Sequence, residues 1–479
     1  IYTAYPNEPW PGKAAVITSR VHLIKGRWQG QHLLSGKKVD HISPFLSDQE
    51  EWSPKPLKAN FGKTFQGSIV LGLGFTLSEE DALHYIEEDP KNKEVLFPYL
   101  GGIDLNSHPD QKVSRWVINF WDWPLSRDEN GAWETAREEE RNEWLREGSV
   151  PEDFPGRVAA DFPTLLNIVE EHVKPERQRK TERGEYVLRK PLPERWWHYA
   201  EKRPALYHAI GRGDSFWKHP DDWDVEVGRQ LFEVIGNARV GKYFNPSLIP
   251  NEVVFHEKIV VIATDSRSEL AFLNSCIAQS WIWKQSSRLK MDLNFSPSDA
   301  YETLPMLEST SHLTEELQRL GERYQSLRAI LRVETRIGHT QLYNRFNDPE
   351  DDDARIDELR TIHRQIDEAV KAAYGWDDLD LGHGFHEVAY LPERDQVRFT
   401  ISESARIEVL RRLSLLNRER YDEEVAKGLH SSTGKTKASS GRRRGRDTKS
   451  QTDGIDQQDL FNSSTSPISG GRTRRSAKR

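Results

Sequence analysis

Cysteine is almost absent from this sequence. Cys276 is the only one in 479 residues, which excludes an intrachain disulfide and any zinc site built on several thiolates. No run of about 18 apolar residues occurs, so no membrane-spanning helix is predicted. The start shows no secretory pattern: it opens on Ile1 rather than Met, and Pro6, Pro9 and Pro11 interrupt it. Catalytic signatures are also missing. There is no nucleophile elbow, no phosphate loop ending in Gly-Lys-Ser/Thr, and no convincing set of nuclease carboxylates. The expectation is a soluble, cytoplasmic protein.

What is present is enough to build cores. The chain is 36% hydrophobic with 15 tryptophans, and its length suits about three domains. The net charge of −8 hides an asymmetry. From residue 431 onward there are 12 Lys/Arg and 4 Asp/Glu, a balance of +8, so residues 1–430 carry −16. An acidic body with a basic tail is compatible with nucleic-acid binding without requiring it.

Patterning gives an α+β protein. Residues 14–24 are β-branched and apolar and read as a core-grade strand after the Trp10-Pro11-Gly12 turn. Ile69–Leu71 and residues 114–120 read as further strands, and residues 253–263 as one or two. Ser78 with Asp81 is close to a capping box, opening a helix that ends before Pro90. Asp265 or Ser266 should cap a helix running to about Trp283. After Pro305 the period becomes helical. One stripe is Leu313, Leu317, Leu320, Tyr324, Leu327 and Leu331, and a second is Ile356, Leu359, Ile362, Ile366 and Val370, with Gly375 at the expected stop. A third stripe, Ile407, Leu410, Leu413, Tyr421 and Val425, ends at Gly428. Residues 29–310 therefore read as a mixed α/β module and 311–430 as a helical domain. Residues 431–479, rich in Ser, Gly, Thr and Arg, read as a disordered basic tail.

The search for a site gives little. Gly72-Leu73-Gly74 precedes a helix, but Leu77 stands where a dinucleotide fingerprint needs its third glycine. The turn reads as a feed into the helix, whose N-terminal amides remain a possible seat for a phosphate. His383 and His386 have no paired ligands nearby in sequence, so no metal site is expected. Acidic runs such as Glu138–Glu140 and Asp351–Asp353 read as solvated faces.

One basic cluster stands out. Residues 174–203 hold ten basic and five acidic side chains with Trp196, Trp197 and Tyr199 between them. Lys174, Arg177, Arg179, Lys180, Arg183, Arg189 and Lys190 either neutralise phosphates or form a solvated surface. The aromatic residues either stack on a ligand or anchor the segment, and core is the commoner fate of tryptophan.

Several strings, in order, resemble the adenine-specific DNA methyltransferases of restriction and phage-defence systems, the Eco57I/MmeI-type single chains among them. They are WPGKAAV at 10–16, FQGSIVLGLGFTLSEEDA at 65–82, LFPYLGGIDLN at 96–106 and SRWVINF at 114–120. Then come VKPER at 173–177, RWWHYAEKRPALY at 195–207, FSPSDAYETLPM at 295–306, LYNRF at 342–346, AAYGW at 372–376 and LLNRERYDEEVAKGLH at 415–430. The resemblance covers roughly 10–430. It implies a partner, double-stranded DNA, and a cytoplasmic, nucleoid-associated place of work. It also implies a cofactor, S-adenosyl-L-methionine, bound in the family by an N-terminal catalytic domain. That domain carries Phe-x-Gly-x-Gly for the cofactor and Asn-Pro-Pro-Tyr/Phe for the flipped adenine.

Neither motif occurs here. The only Asn-Pro is Asn245-Pro246, followed by Ser247, so no catalytic or cofactor residue is assigned. The expectation is that residues 1–28 are the last strands of a truncated catalytic domain, 29–310 a target-recognition domain and 311–430 a helical C-terminal domain. The chain alone would be inactive. Arg115 and Lys284 join the DNA-contact candidates because they lie in family-like stretches. The alternative is a stand-alone DNA-binding specificity subunit that recruits a separate catalytic chain. In the tail, Gln457, Leu460 and Phe461 belong to a pentapeptide that resembles the motif docking on the replication sliding clamp, unless the match is chance composition. Defence-system subunits are further expected partners.

Overall fold

The computed structural model describes residues 1–9, 17–43, 46, 53–212, 231–308, 311–388, 391 and 395–430. At its start Ile17–His22 pairs antiparallel with Thr3–Pro9 in a four-stranded sheet, which His32–Leu34 and Lys37–Val39 complete on the other side. The β-branched run does form a strand, but at the sheet's edge. Val21 and the following Leu23 and Ile24 are exposed, so the expectation of a core-grade strand fails for these residues. The string at 10–16 lies outside the described residues.

The middle of the chain is built of short strands and helices around two small sheets. In one, Ser247–Pro250, Glu233–Ala238, Ile259–Ile262 and Thr64–Gln66 are antiparallel in that order. In the other the order is Val254–Phe255, Leu96–Leu100, Trp116–Ile118, Thr76–Leu77, and the first pair is parallel. Residues 253–263 thus supply two strands to two different sheets. Ile69–Leu71 is not a strand. Ile69 makes one bridge to Glu201, and Leu71 takes a left-handed φ of 51°, which no extended strand accommodates.

Ser78 caps the helix Glu79–Glu88 as expected, its hydroxyl oxygen accepting from the Asp81 amide at 3.0 Å. Ser266 caps Arg267–Asn274, but the single helix expected to Trp283 is two. Ser275 breaks it and caps Cys276–Gln285 through the Ala278 amide at 3.1 Å. A second serine able to accept an amide proton competes with continuation of the helix.

Helices dominate from Ser311–Thr335 through His339–Phe346, Ala354–Ala373 and Glu403–Ala426. Leu317, Leu320, Tyr324 and Leu331, with Ile356, Leu359, Ile362, Ile366 and Val370, are buried in one cluster. That cluster continues through Ile235, Leu270, Ile277 and Trp281, so no break in the core falls at residue 310. Residues 1–430 form one compact unit. Gly321 makes the close approach possible, because a Cβ there would lie 2.0 Å from the Arg267 carbonyl oxygen.

The third stripe is corrected. Ile407 and Val425 are exposed, whereas Ala405, Val409, Leu413, Asn417 and Glu424 are buried. The buried face is partly polar because it satisfies a neighbouring loop. The Lys55 amide donates to Asn417 Oδ1 at 3.0 Å, and the Lys58 and Ala59 amides donate to the Glu424 carboxylate at 2.8 and 3.1 Å. The overall class is mixed α+β, as expected. Among the described residues no helix is long and apolar enough to cross a membrane.

Candidate nucleic-acid interface

The basic cluster at 174–203 separates into three kinds of cation. Arg177 is buried, and its guanidinium donates to the carbonyls of Val70 (2.8 Å), Leu71 (2.7 Å) and His198 (2.5 Å). Burial pushes it down to about 10. Phosphate contact is therefore excluded at Arg177, which instead satisfies three backbone acceptors that have left regular structure. Trp196, Trp197 and Tyr199 are core residues, which settles their reading as anchors.

Lys174, Arg189 and Lys190 are partnered: Lys174 with Glu170 at 2.6 Å and over the Trp196 ring, Lys190 with Glu194 at 2.6 Å, and Arg189 with Glu201 at 3.6 Å. Arg179, Lys180 and Arg183 are exposed around a tight turn. There the Val187 amide donates to the Arg179 carbonyl, and the Thr181 amide to the Glu185 carbonyl. Buried Arg177 thus fixes the root of a turn that carries Arg179 and Lys180 on its paired base and Arg183 at its tip.

A second basic surface is assembled from distant segments. Arg115 is exposed beside the Tyr99 ring, and its guanidinium approaches Gly101. Gly102, next along, faces the Lys258 side chain. The Arg239 amide donates to the Lys258 carbonyl at 2.7 Å, and Val240–Gly241 pairs with Asp292–Asn294 of a hairpin whose other strand is Ser287–Leu289. This hairpin exposes Lys290 and holds Arg288 half-buried opposite core Leu293, with Lys284 three residues upstream. Lys242, on the same connection, pairs with Asp395 at 2.8 Å. Burial, then Lys258 and Arg115, push the His256 imidazole down to about 4. Sequence reasoning had only Arg115 and Lys284 here. The other five cations sit singly among unremarkable residues, and only strand pairing gathers them.

A ridge of this kind can bind phosphates as point charges and forks. Leu289, next to Lys290 in sequence, and Ile103, next to Gly102, are exposed apolar residues. The N-terminus of Glu79–Glu88 is a poorer seat, because Glu79, Glu80 and Asp81 occupy its first turn and repel an anion.

Neither of the two sequence positions closest to the family's motifs offers an open seat for S-adenosylmethionine. The Gly72-Leu73-Gly74 turn is packed under His172 and Val173, so that a Cβ on Gly74 would lie 2.4 Å from His172 Cβ. A ligand has no room against the backbone at Gly74. Asn245-Pro246 is a buried corner, its Pro246 carbonyl accepting from Arg328 at 3.0 Å and Asn274 at 3.1 Å. Gln457, Leu460 and Phe461 lie outside the described residues.

No protein-family model matches the sequence, and no curated protein matches it. Among solved structures, the type IIL restriction-modification enzyme MmeI, determined in complex with DNA, matches with a TM-score of 0.52 and 14% identity. The match covers 87% of this chain and 46% of that one, so the chain spans less than half the length of that structure. Over that span the chain is similar in fold to a type IIL restriction-modification enzyme.

Proposed function

We propose that this chain reads double-stranded DNA within a restriction-modification system. The observation that carries the reading is the fold shared with an enzyme solved on DNA, over 87% of this chain. The finer reading is that it supplies target recognition to a site-specific adenine-N6 methyltransferase of a restriction or phage-defence system. Ten ordered strings that resemble that family support it. S-adenosylmethionine would then be bound by a catalytic domain outside the residues described, in the same polypeptide or in another chain. A specificity subunit that recruits a separate catalytic chain is the second reading.

Recognition divides into phosphate contacts that set register and base contacts that set sequence. The exposed turn at Arg179, Lys180 and Arg183 and the exposed Arg115, Lys258 and Lys290 supply the first kind. Each phosphate neutralised contributes about 0.9 to the slope of log affinity against log salt. Binding of a fluorescent 30-base-pair duplex should weaken steeply with salt, and Arg179→Gln, Lys180→Gln and Arg183→Gln together should flatten that slope by about 2.7. No duplex binding at low salt would end the proposal. Binding with an unaltered slope would remove the turn from the interface.

The Gln457–Phe461 segment is proposed as a docking motif for the sliding clamp, on its resemblance alone. A 451–465 peptide should bind the clamp, and Leu460→Ala with Phe461→Ala should abolish binding. Equal weak binding by both peptides would dismiss it.

A further inference from the structure

The fold brings the only cysteine to a place that its sequence neighbours do not suggest. Cys276, first residue of the helix Cys276–Gln285, meets His363 and Asp367 on one face of Ala354–Ala373, and His383, just ahead of the strand Gly384–Glu387. Cys276 Sγ lies 3.2 Å from His363 Nε2, His363 Nε2 lies 3.8 Å from Asp367 Oδ2, and His383 Nε2 lies 2.8 Å from the same oxygen. The Cys276, His363 and Asp367 ligand atoms all fall within 4.8 Å of one another. All four side chains are buried, Asp367 completely.

From these positions we infer that Cys276, His363, Asp367 and His383 form a structural binding site for one zinc ion, which ties three separate segments of the helical half together. Zinc bonds of about 2.3 Å to sulfur and 2.0–2.2 Å to nitrogen and oxygen give tetrahedral edges of about 3.3–3.6 Å. The 3.2 and 3.8 Å separations bracket that range, whereas His383 stands outside this compact group, hydrogen-bonded to Asp367, and its ring must swing inward to become the fourth ligand. Charge also balances. A thiolate and a carboxylate neutralise a divalent ion, the two imidazoles bind neutral, and the thiol proton leaves to solvent as the metal enters.

Outer partners for the ligands are in place. Tyr324 Oη lies 3.1 Å from His363 Nδ1, which leaves Nε2 for the metal, and the Cys276 amide donates to Asp367 Oδ1 at 2.6 Å. The Thr400 hydroxyl lies 3.4 Å from the sulfur. The expectation of no metal here rested on ligands near His383 in sequence. The missing ligands are 16, 20 and 107 positions away.

The full chain, purified without chelator or affinity histidines, should carry about one zinc by inductively coupled plasma mass spectrometry. Exchange for Co²⁺ should produce a near-ultraviolet thiolate-to-cobalt band together with strong tetrahedral visible absorption. Cys276→Ser should lose the near-ultraviolet band. Chelation should lower Tm of the wild type by at least about 5 °C. His383→Gln, a milder change at the edge of the cluster, should bind less metal and respond less to chelator. Wild type with less than about a tenth of a zinc per chain, and no cobalt spectrum after metal is added, overturns the inference. The four side chains would then be a self-contained hydrogen-bonded network.

Discussion

Arg177 and Arg183 look equivalent in a charge count, yet the structure gives them opposite roles. Arg177 is spent on backbone carbonyls in the interior, whereas Arg183 is exposed at the tip of a turn. Truncating the first leaves buried acceptors unpaired, so Arg177→Gln should cost about 3 kcal/mol in urea unfolding. Arg183→Gln should leave the unfolding midpoint within error, and equal effects of the two would contradict this division.

Buried histidines make a second residue-scale prediction. Burial is the main cause that pushes His256 down to about 4 and His198 and His339 well below their ordinary value. Each depressed imidazole is neutral in the fold but binds a proton in the unfolded chain below about pH 6.5. Stability from these groups is therefore present above pH 6.5 and falls as the pH drops toward the folded values. Glu269 and Glu302, both held above the usual carboxylate range by burial, act in the opposite sense as two groups against these three histidines and His363, which burial also lowers. Urea midpoints should decline from pH 7.5 to 5, and a flat profile would show these rings to be protonated in the fold.

At the scale of the element, the hairpin Ser287–Leu289/Asp292–Asn294 turns through Lys290 and Met291. Lys290 holds φ at 57°, a left-handed conformation that costs about 1 kcal/mol for an ordinary side chain and less for asparagine. A lysine kept there points to a use for its charge. Lys290→Asn should leave stability equal or slightly higher and weaken duplex binding about threefold to tenfold, read by anisotropy. Unchanged binding would remove the hairpin tip from the interface.

For the whole molecule, the packing between Ser311–Thr335 and the preceding helix Arg267–Asn274 matters most. Leu317, Leu320 and Tyr324 share one core with Leu270, Phe272 and Ile277, and Gly321 lets the two helices touch. A polypeptide of residues 311–430 alone would expose that face. It should lack a cooperative thermal transition by circular dichroism, whereas residues 1–430 should show one. A sharp transition in the shorter chain would mean that the helical segment is an independent domain.

By itself the sequence determined where the helices lie and much of what they bury. The 3.6-residue stripes before Gly375 depend only on local geometry and apolar period. It also indicated the serine cap at Ser78 and the burial of Trp196 and Trp197. It misplaced the buried face of Glu403–Ala426, because Asn417 and Glu424 are buried to satisfy backbone amides more than 350 positions away, and no periodicity encodes that. Tertiary structure alone decided which cations are exposed, linked the segments of Arg115, Lys258, Arg239 and the hairpin of Lys290, and set Cys276 beside His363 and Asp367, with His383 next to Asp367. Those groupings depend on which strands pair and which helices pack. Such long-range choices rest on shape and burial summed over the whole core, and no single stretch of the chain carries them.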